Sequence, residues 1–255
     1  MDLDGIKTLS FDCYGTLIDW ETGLLKVLGP WLKKNNKNPP DEQVLEIFGE
    51  LEFEVEEASP DALYPEILEK VHQALGEHFN IPSTPSEQKA FGASVKEWPA
   101  FPDSAEALQY LQQYFKLVIL SNVDGASFAH SAKKLGVTFD AIYTAQDIGS
   151  YKPDHKNFHY LLRHLKEDFE TRPDQLLHIA QSLFHDHEPA KKMNLHTCWI
   201  DRRASKKGAG ATVTLYGPID YDFRFESMAD FVKDHKKHLS YINLEKKFSH
   251  SEIVD

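Results

Sequence analysis

Short runs that stay apolar recur along the chain. Ile6 to Asp12 (IKTLSFD) ends on an acid, and Lys116 to Ser121 (KLVILS), Leu176 to Ala180 (LLHIA) and His196 to Ile200 (HTCWI) follow, with a weaker run at Asp140 to Ala145 (DAIYTA). Runs that do not alternate fit strands covered on both faces, the habit of parallel sheets. Helical segments lie between them. Asp103 with Glu106 reads as a capping box after Pro102, and Ala105, Leu108 and Leu111 continue at helical spacing. The alternation from residue 100 onward predicts a doubly wound α/β domain.

Leu17 to Trp98 break that alternation. Val44, Ile47, Phe48, Leu51 and Val55 fall on one helical face, and Leu63, Ile67, Leu68, Val71 and Leu75 fall on another. The stretch reads as an all-helical insertion over residues 17–97, with residues 1–16 and 98–255 forming the core. Asn35 to Pro40 (NNKNPP) is a loop inside it, and the Pro-rich Glu97 to Asp103 (EWPAFPD) is the expected hinge back into the core. Beyond Thr212 the sequence offers a short strand candidate, VTLYG, and a helix near Phe225 to His238.

Composition narrows the function classes. The chain has 255 residues, 41% hydrophobic and 27% charged, enough to bury a substantial core. A formal charge of −12 would repel a phosphate backbone, so no nucleic-acid partner is expected. Cys13 and Cys198 make neither a disulfide framework nor a zinc set, which suits a reducing compartment. No leader and no membrane span is legible, so a cytoplasmic protein, monomer or homodimer, is expected.

In an open α/β sheet, ligands gather outside the carboxyl ends of the strands. Asp12 follows the first strand there, Ser121 with Asn122 the second, Lys152 the weak one, and Asp186 follows LLHIA. Together they make a convergent polar site. The segments carrying these residues, DCYGTLIDWE, LSNVD, YKPD and AQSLFHDHEPA, resemble the four motifs of the haloacid dehalogenase superfamily, in order. The resemblance implies a Rossmann-like core under a helical cap inserted after the first motif, with Asp12 as a nucleophile that forms an ester with substrate.

The first motif divides that superfamily. Its phosphatases carry a second acid two positions after the nucleophile, where this chain has Tyr14, as the 2-haloacid dehalogenases do. A phenol with a pKa near 10 is a poor acid for phosphate ester cleavage. The fourth motif offers Gln181 before Asp186 where phosphatases offer two acids, and Mg²⁺ favours several hard oxygens. Metal-independent chemistry without a cofactor is therefore expected. Lys152 would keep Asp12 ionised, an attraction worth about 4 kcal/mol at roughly 4 Å in an effective dielectric of 20.

The resemblance then implies that Asp12 displaces halide from C2 of a small carboxylic acid and that water cleaves the ester, with Asp186 positioning the water. Cys13, Tyr14, Thr16, Ser121, Asn122, Gln181 and Ser182 make up the expected substrate-binding set, with backbone amides after Asp12 and Thr16 cradling the carboxylate. A Mg²⁺-dependent phosphatase and a catalytically silent binding protein are the alternatives. The known 2-haloacid dehalogenases place a cap Arg at the halide, whereas this chain has no Arg before Arg163, and they have a Tyr where Phe158 stands.

Several other features carry less chemistry. Glu50, Glu52, Glu54, Glu56 and Glu57 read as a solvated helix face. His185, Asp186, His187 and Glu188 include zinc-type ligands, but consecutive residues at a helix start diverge, so a charge cluster is expected there. His178 reads as a satisfied core histidine, Cys13 as a small buried residue, and Trp20 and Trp31 as packing or pocket wall. Arg202 to Ala211 (RRASKKGAGA) has bases and glycines but no nucleotide-binding pattern.

Overall fold

The computed structural model describes residues 1, 3–213 and 217–251, with side chains in the last helix described as far as residue 241. Six strands, β1 (Thr8–Phe11), β2 (Lys116–Ser121), β3 (Ala141–Thr144), β4 (Leu176–Ala180), β5 (His196–Ile200) and β6 (Phe223–Phe225), form one sheet in the order β3-β2-β1-β4-β5-β6. Every neighbouring pair is parallel, and Phe11 of β1 lies opposite both Ile119 and Ile179. Because β1 is central and its neighbours lead to opposite edges, the residue after it sits at the point where the strand order reverses.

The non-alternating runs have a direct structural cause. Side chains along a strand point alternately to opposite faces, and both faces here are covered. Leu9, Phe11, Leu117, Ile119, Leu177 and Ile179 join one buried cluster, and Val118, Leu120 and Leu176 join another. Four helices of the insertion follow β1: α1 (Trp20–Lys34), α2 (Asp41–Ala58), α3 (Tyr64–Phe79) and α4 (Pro85–Gly92). The connections after them carry α5 (Ser104–Leu111), α6 (Gly125–Leu135), α7 (Ala145–Ile148), α8 (Lys156–Phe169), α9 (Glu188–Lys192) and α10 (Met228–Ser251). Helices α5, α6 and α10 supply Leu108, Phe128 and Phe231 to the first cluster, and α8 supplies Phe158, Leu161 and Leu165 to the second. The fold is thus a doubly wound parallel α/β core with an inserted all-helical cap.

Within the cap, α2 buries Val44, Leu45, Ile47 and Phe48, each worth about 1.5–3 kcal/mol when removed from water. Helix α1 approaches the chain's return to the core so closely that a Cβ at Gly23 would lie 2.3 Å from Trp98. The two crossings between cap and core run side by side, joined by a bridge between Ile18 and Ala100 and by the Asp19 amide donating to Pro99 O at 2.8 Å. The segment after β5 straps the two layers together. Arg202 donates to Thr16 O and Asp103, while Arg203 pairs with Glu21 of α1 and Glu42 of α2.

One local expectation needs amendment. Asp103 does not cap α5 with its side chain; it accepts from Arg202 at 2.9 and 3.0 Å and from the Ala229 amide, because a buried guanidinium offers stronger donors than a helix end. The edge strand β6 is three residues long, too short to show a hydrophobic period. Residues 214–216 of the VTLYG strand candidate lie outside the described residues. Among the described residues no helix is long and apolar enough to cross a membrane.

Candidate active site

β1 delivers Asp12 to the sheet's carboxyl end with 6% of its surface exposed. The backbone then turns sharply: Gly15 has φ +90°, and a Cβ there would lie 3.1 Å from both Gln181 Oε1 and Trp20 Nε1, so glycine suits the position on both counts. The turn brings Thr16 back over the acid. Its hydroxyl donates to Asp12 Oδ2 at 2.6 Å and accepts from the Gln181 amide at 2.8 Å.

Lys152 provides the other contact. Its side chain is 2% exposed, and Nζ donates to Asp12 Oδ1 at 2.9 Å, to Asp186 Oδ1 at 2.7 Å and to Leu120 O at 3.1 Å. All three ammonium protons are used. Asn122 holds the loop that presents this lysine: the Lys152 amide donates to Asn122 Oδ1 at 2.7 Å, and Asn122 Nδ2 donates to Lys152 O at 3.0 Å.

Asp186 sits on a single π-helical turn, Leu183–His187, which Ser182 caps by accepting from the His185 amide at 3.0 Å. Asp186 Oδ1 also meets His178 Nε2 at 2.9 Å, and His178 Nδ1 meets Ser10 Oγ at 2.8 Å. His178 is therefore satisfied and buried, as expected, and in addition orients the second acid. Asp186 Oδ2, by contrast, is buried with no hydrogen-bond partner.

Electrostatics follow from burial and from these contacts. Burial raises the Asp12 carboxyl above its usual range, with Asp186 adding to the rise and Lys152 and Thr16 opposing it. Burial also opposes the Asp186 carboxylate, yet Lys152 and His178 outweigh it and hold this acid below the ordinary range. Burial likewise pulls on the Lys152 ammonium, and the two aspartates more than compensate, keeping it charged above the usual lysine range. Burial pushes the Cys13 thiol and the Tyr14 phenol well up, so both stay neutral near pH 7.

These groups surround a cavity of about 40 Å³. Asp12, Lys152 and Asp186 line it from the core with Asn122, Gln181, Ser182 and His185; Tyr14 and Trp20 line it too. Cys13, Thr16 and Ser121 are buried beside it and do not line it. Tyr14 packs edge-on to Trp98 at 5.5 Å, and its hydroxyl meets Ser131 Oγ at 3.0 Å. A second, more open pocket of about 360 Å³ shares Glu56 and Lys152 with the first and reaches Phe53 and Pro60.

The cap overturns one expectation. Glu50, Glu54 and Glu57 are exposed, but Glu52 and Glu56 are only 5% and 4% exposed and line the cavity. Tyr64 of α3 donates to Glu52 Oε1 at 2.6 Å, and Asn122 Nδ2 reaches Glu56 Oε2 at 3.3 Å. Phe48, Glu52 and Glu56 are spaced four apart, so the acids continue the apolar stripe of α2 toward the core. Burial lifts the Glu52 carboxyl to about 8 against the Tyr64 hydrogen bond, and burial with repulsion from Glu52 lifts Glu56 well above the usual range. His185 is brought down to about 4 by burial. His187 turns away to Ala180 O, and among the described residues no group of three or more His, Cys, Asp or Glu is arranged to hold a metal ion.

A parallel sheet with its acid at the strand-order reversal, a lysine between two aspartates and an inserted cap define a hydrolase class. A family profile for haloacid dehalogenase-like hydrolases matches residues 6–179, and the chain belongs to that family. Among solved structures, the chain is similar to L-2-haloacid dehalogenase from Xanthobacter autotrophicus with chloropropionic acid covalently bound, at 18% identity and TM-score 0.69 over 89% of this chain and 96% of that one. A defluorinating L-2-haloacid dehalogenase is similar at 17% identity and TM-score 0.72, covering 90% and 94%. The HAD hydrolase YfnB from Bacillus subtilis, bound to magnesium, is similar at 17% identity and TM-score 0.69, covering 89% and 96%. No curated protein matches the sequence.

Proposed function

We propose that this protein is a hydrolase that cleaves the carbon–halogen bond of a small 2-halocarboxylic acid through an ester on Asp12, without a divalent ion. The observation that carries the reading is the Lys152 ammonium between Asp12 and Asp186, at 2.9 and 2.7 Å. Its charge offsets the two acids without a divalent cation. The surrounding donors do not fit Mg²⁺: Asp12 Oδ1 is engaged by Lys152 and Oδ2 by Thr16, and Tyr14 and Gln181 supply no carboxylate.

Under this reading a carboxylate oxygen of Asp12 attacks C2, the new C–O bond forms as the carbon–halogen bond breaks, and halide leaves with the electron pair. Water then attacks the ester carbonyl, the hydroxy acid departs, and the surplus proton passes to solvent. Asp186 Oδ2, buried and unpartnered, is the acceptor that would hold that water. Asn122, Gln181 and Ser182, which line the cavity, bind the substrate carboxylate, whereas the expected amide after Thr16 is not free to help, since the Leu17 N–H donates to Cys13 O at 2.8 Å. Ser121 stands behind them.

The test is intact-protein mass after incubation with 2-chloropropionate in the presence of a chelator. A mass gain of one propionate unit, located on Asp12 and absent from Asp12→Asn, is the expected result. Halide release that needs added Mg²⁺, or phosphate-ester hydrolysis in its place, overturns the proposal.

A further inference from the structure

Four acids and one fully engaged lysine line a cavity that contains no arginine. The proposed displacement places its groups geometrically: the leaving group departs opposite the nucleophile. Asp12 rises from the core, so the halide departs toward the cap, where Glu52 and Glu56 stand. Each glutamate has one oxygen occupied, Glu52 Oε1 by Tyr64 and Glu56 Oε2 by Asn122. The other oxygens, Glu52 Oε2 and Glu56 Oε1, have no partner among the described residues. The unpartnered Asp186 Oδ2, on a side chain 1% exposed, lines the same cavity and independently marks it as built for a bound group.

We infer that Glu52 and Glu56 form the leaving-group site and hold the departing halide as uncharged carboxylic acids, by O–H hydrogen bonds. The inference rests on the Asp12-ester reading and deepens it. A halide would be repelled by ionised glutamates, whereas a neutral carboxylic acid donates to it as strongly as an alcohol or better. The proton stays on the glutamate throughout, and the halide leaves as the anion. Tyr64 fixes the Glu52 rotamer and so acts as a positioning residue.

The groups facing Glu52 and Glu56 limit which of them titrates near neutrality. Tyr14 and Tyr64 are held neutral by burial, Lys152 and Asp186 stay ionised, and His185, at about 4, is neutral above that. Asp12 is raised and is the group whose ionisation limits the acid side. Glu52, at about 8, titrates between pH 7 and 9.

The experiment measures single-turnover Asp12 adduct formation from 2-bromopropionate between pH 7 and 9, for wild type, Glu52→Gln and Glu52→Leu, with folding checked by circular dichroism. Wild type should slow about tenfold across that range as Glu52 ionises. Glu52→Gln, which keeps an N–H donor and cannot ionise, should lose the pH dependence, and Glu52→Leu should be slower at least about tenfold at pH 7. A flat wild-type profile, or wild-type rates in Glu52→Leu, overturns the inference. Calorimetric bromide binding needs no turnover and separates the two readings. Binding that weakens through pH 8 in wild type alone supports the donor site even where no adduct forms. An adduct without bromide binding at pH 7 overturns the donor site only, and neither signal overturns both.

Discussion

Replacing Lys152 with Met keeps the volume and removes the charge. Each ammonium–carboxylate contact, at 2.7–2.9 Å, is worth roughly 6 kcal/mol of direct attraction in an effective dielectric of about 20. Much of that is offset by desolvation, so breaking the buried set costs about 3–5 kcal/mol of stability. Asp12 and Asp186 then face each other without a cation, and one of them takes up a proton. Asp12 is already raised by burial, whereas Asp186 keeps His178, so the proton goes to the nucleophile. A carboxylate loses about 1–3 pKa units of depression with its cation, and each unit is tenfold in ionised fraction. Adduct formation on Asp12 should therefore fall at pH 7, by about tenfold for each unit by which the shifted carboxyl exceeds that pH. A raised acid is ionised only above its pKa, so the rate relative to wild type at the same pH should recover as pH rises. The assay is quenched single-turnover mass spectrometry at pH 7 and 9 on protein shown to be folded. Labelling of Asp12 in Lys152→Met at the wild-type rate at pH 7 would refute the charge argument.

Two further outcomes follow from the same contacts. His178→Ala removes a donor from a buried carboxylate and should cost about 1.5–3 kcal/mol by urea titration at pH 7. Because the folded Asp186 is depressed, its ionic contribution is present above the unfolded value and lost as pH falls through the folded one, so the deficit should narrow between pH 4 and 2. Glu52 has the opposite sign: its folded carboxyl, at about 8, holds a proton that the unfolded chain has already released. Wild-type stability should therefore decline by about 1.4 kcal/mol per pH unit from this one group between its unfolded value and pH 8, and Glu52→Gln should remove that share of the slope.

The core side of the site was legible because chemistry and topology coincide there. Asp12, Lys152 and Asp186 each follow an apolar run, and a parallel sheet collects everything that follows such runs at one end. The cap side was not. Five glutamates crowd Glu50 to Glu57, and which of them turn inward depends on how α2 docks, a tertiary fact. The spacing of Phe48, Glu52 and Glu56 was the available signal, and it looks the same as a solvated i,i+4 stripe until Tyr64 arrives from the next helix. Asp103 failed as a cap for a related reason, since Arg202 lies 99 positions away in sequence. His178 was read correctly as satisfied, but its partner Asp186 could not be seen from within a strand.

The charge count around Lys152 bears on the order of the two proposed steps. With both aspartates ionised and both glutamates protonated, the three core groups carry one net negative charge in a cavity that holds little water. Ester formation on Asp12 would pass that charge to the departing halide and, once the halide has left, leave Lys152 and Asp186 as a one-to-one pair joined at 2.7 Å. The second step would then begin from a balanced site in which Lys152 still points at the ester oxygen. Restoring the carboxylate in the second step would recreate the excess negative charge among the three core groups. Asp186 Oδ2 and the Lys152 ammonium are the two groups able to lower that cost, one by accepting from the attacking water and the other by drawing electron density from the carbonyl. Under the proposed reaction the same lysine would therefore serve both attack and release.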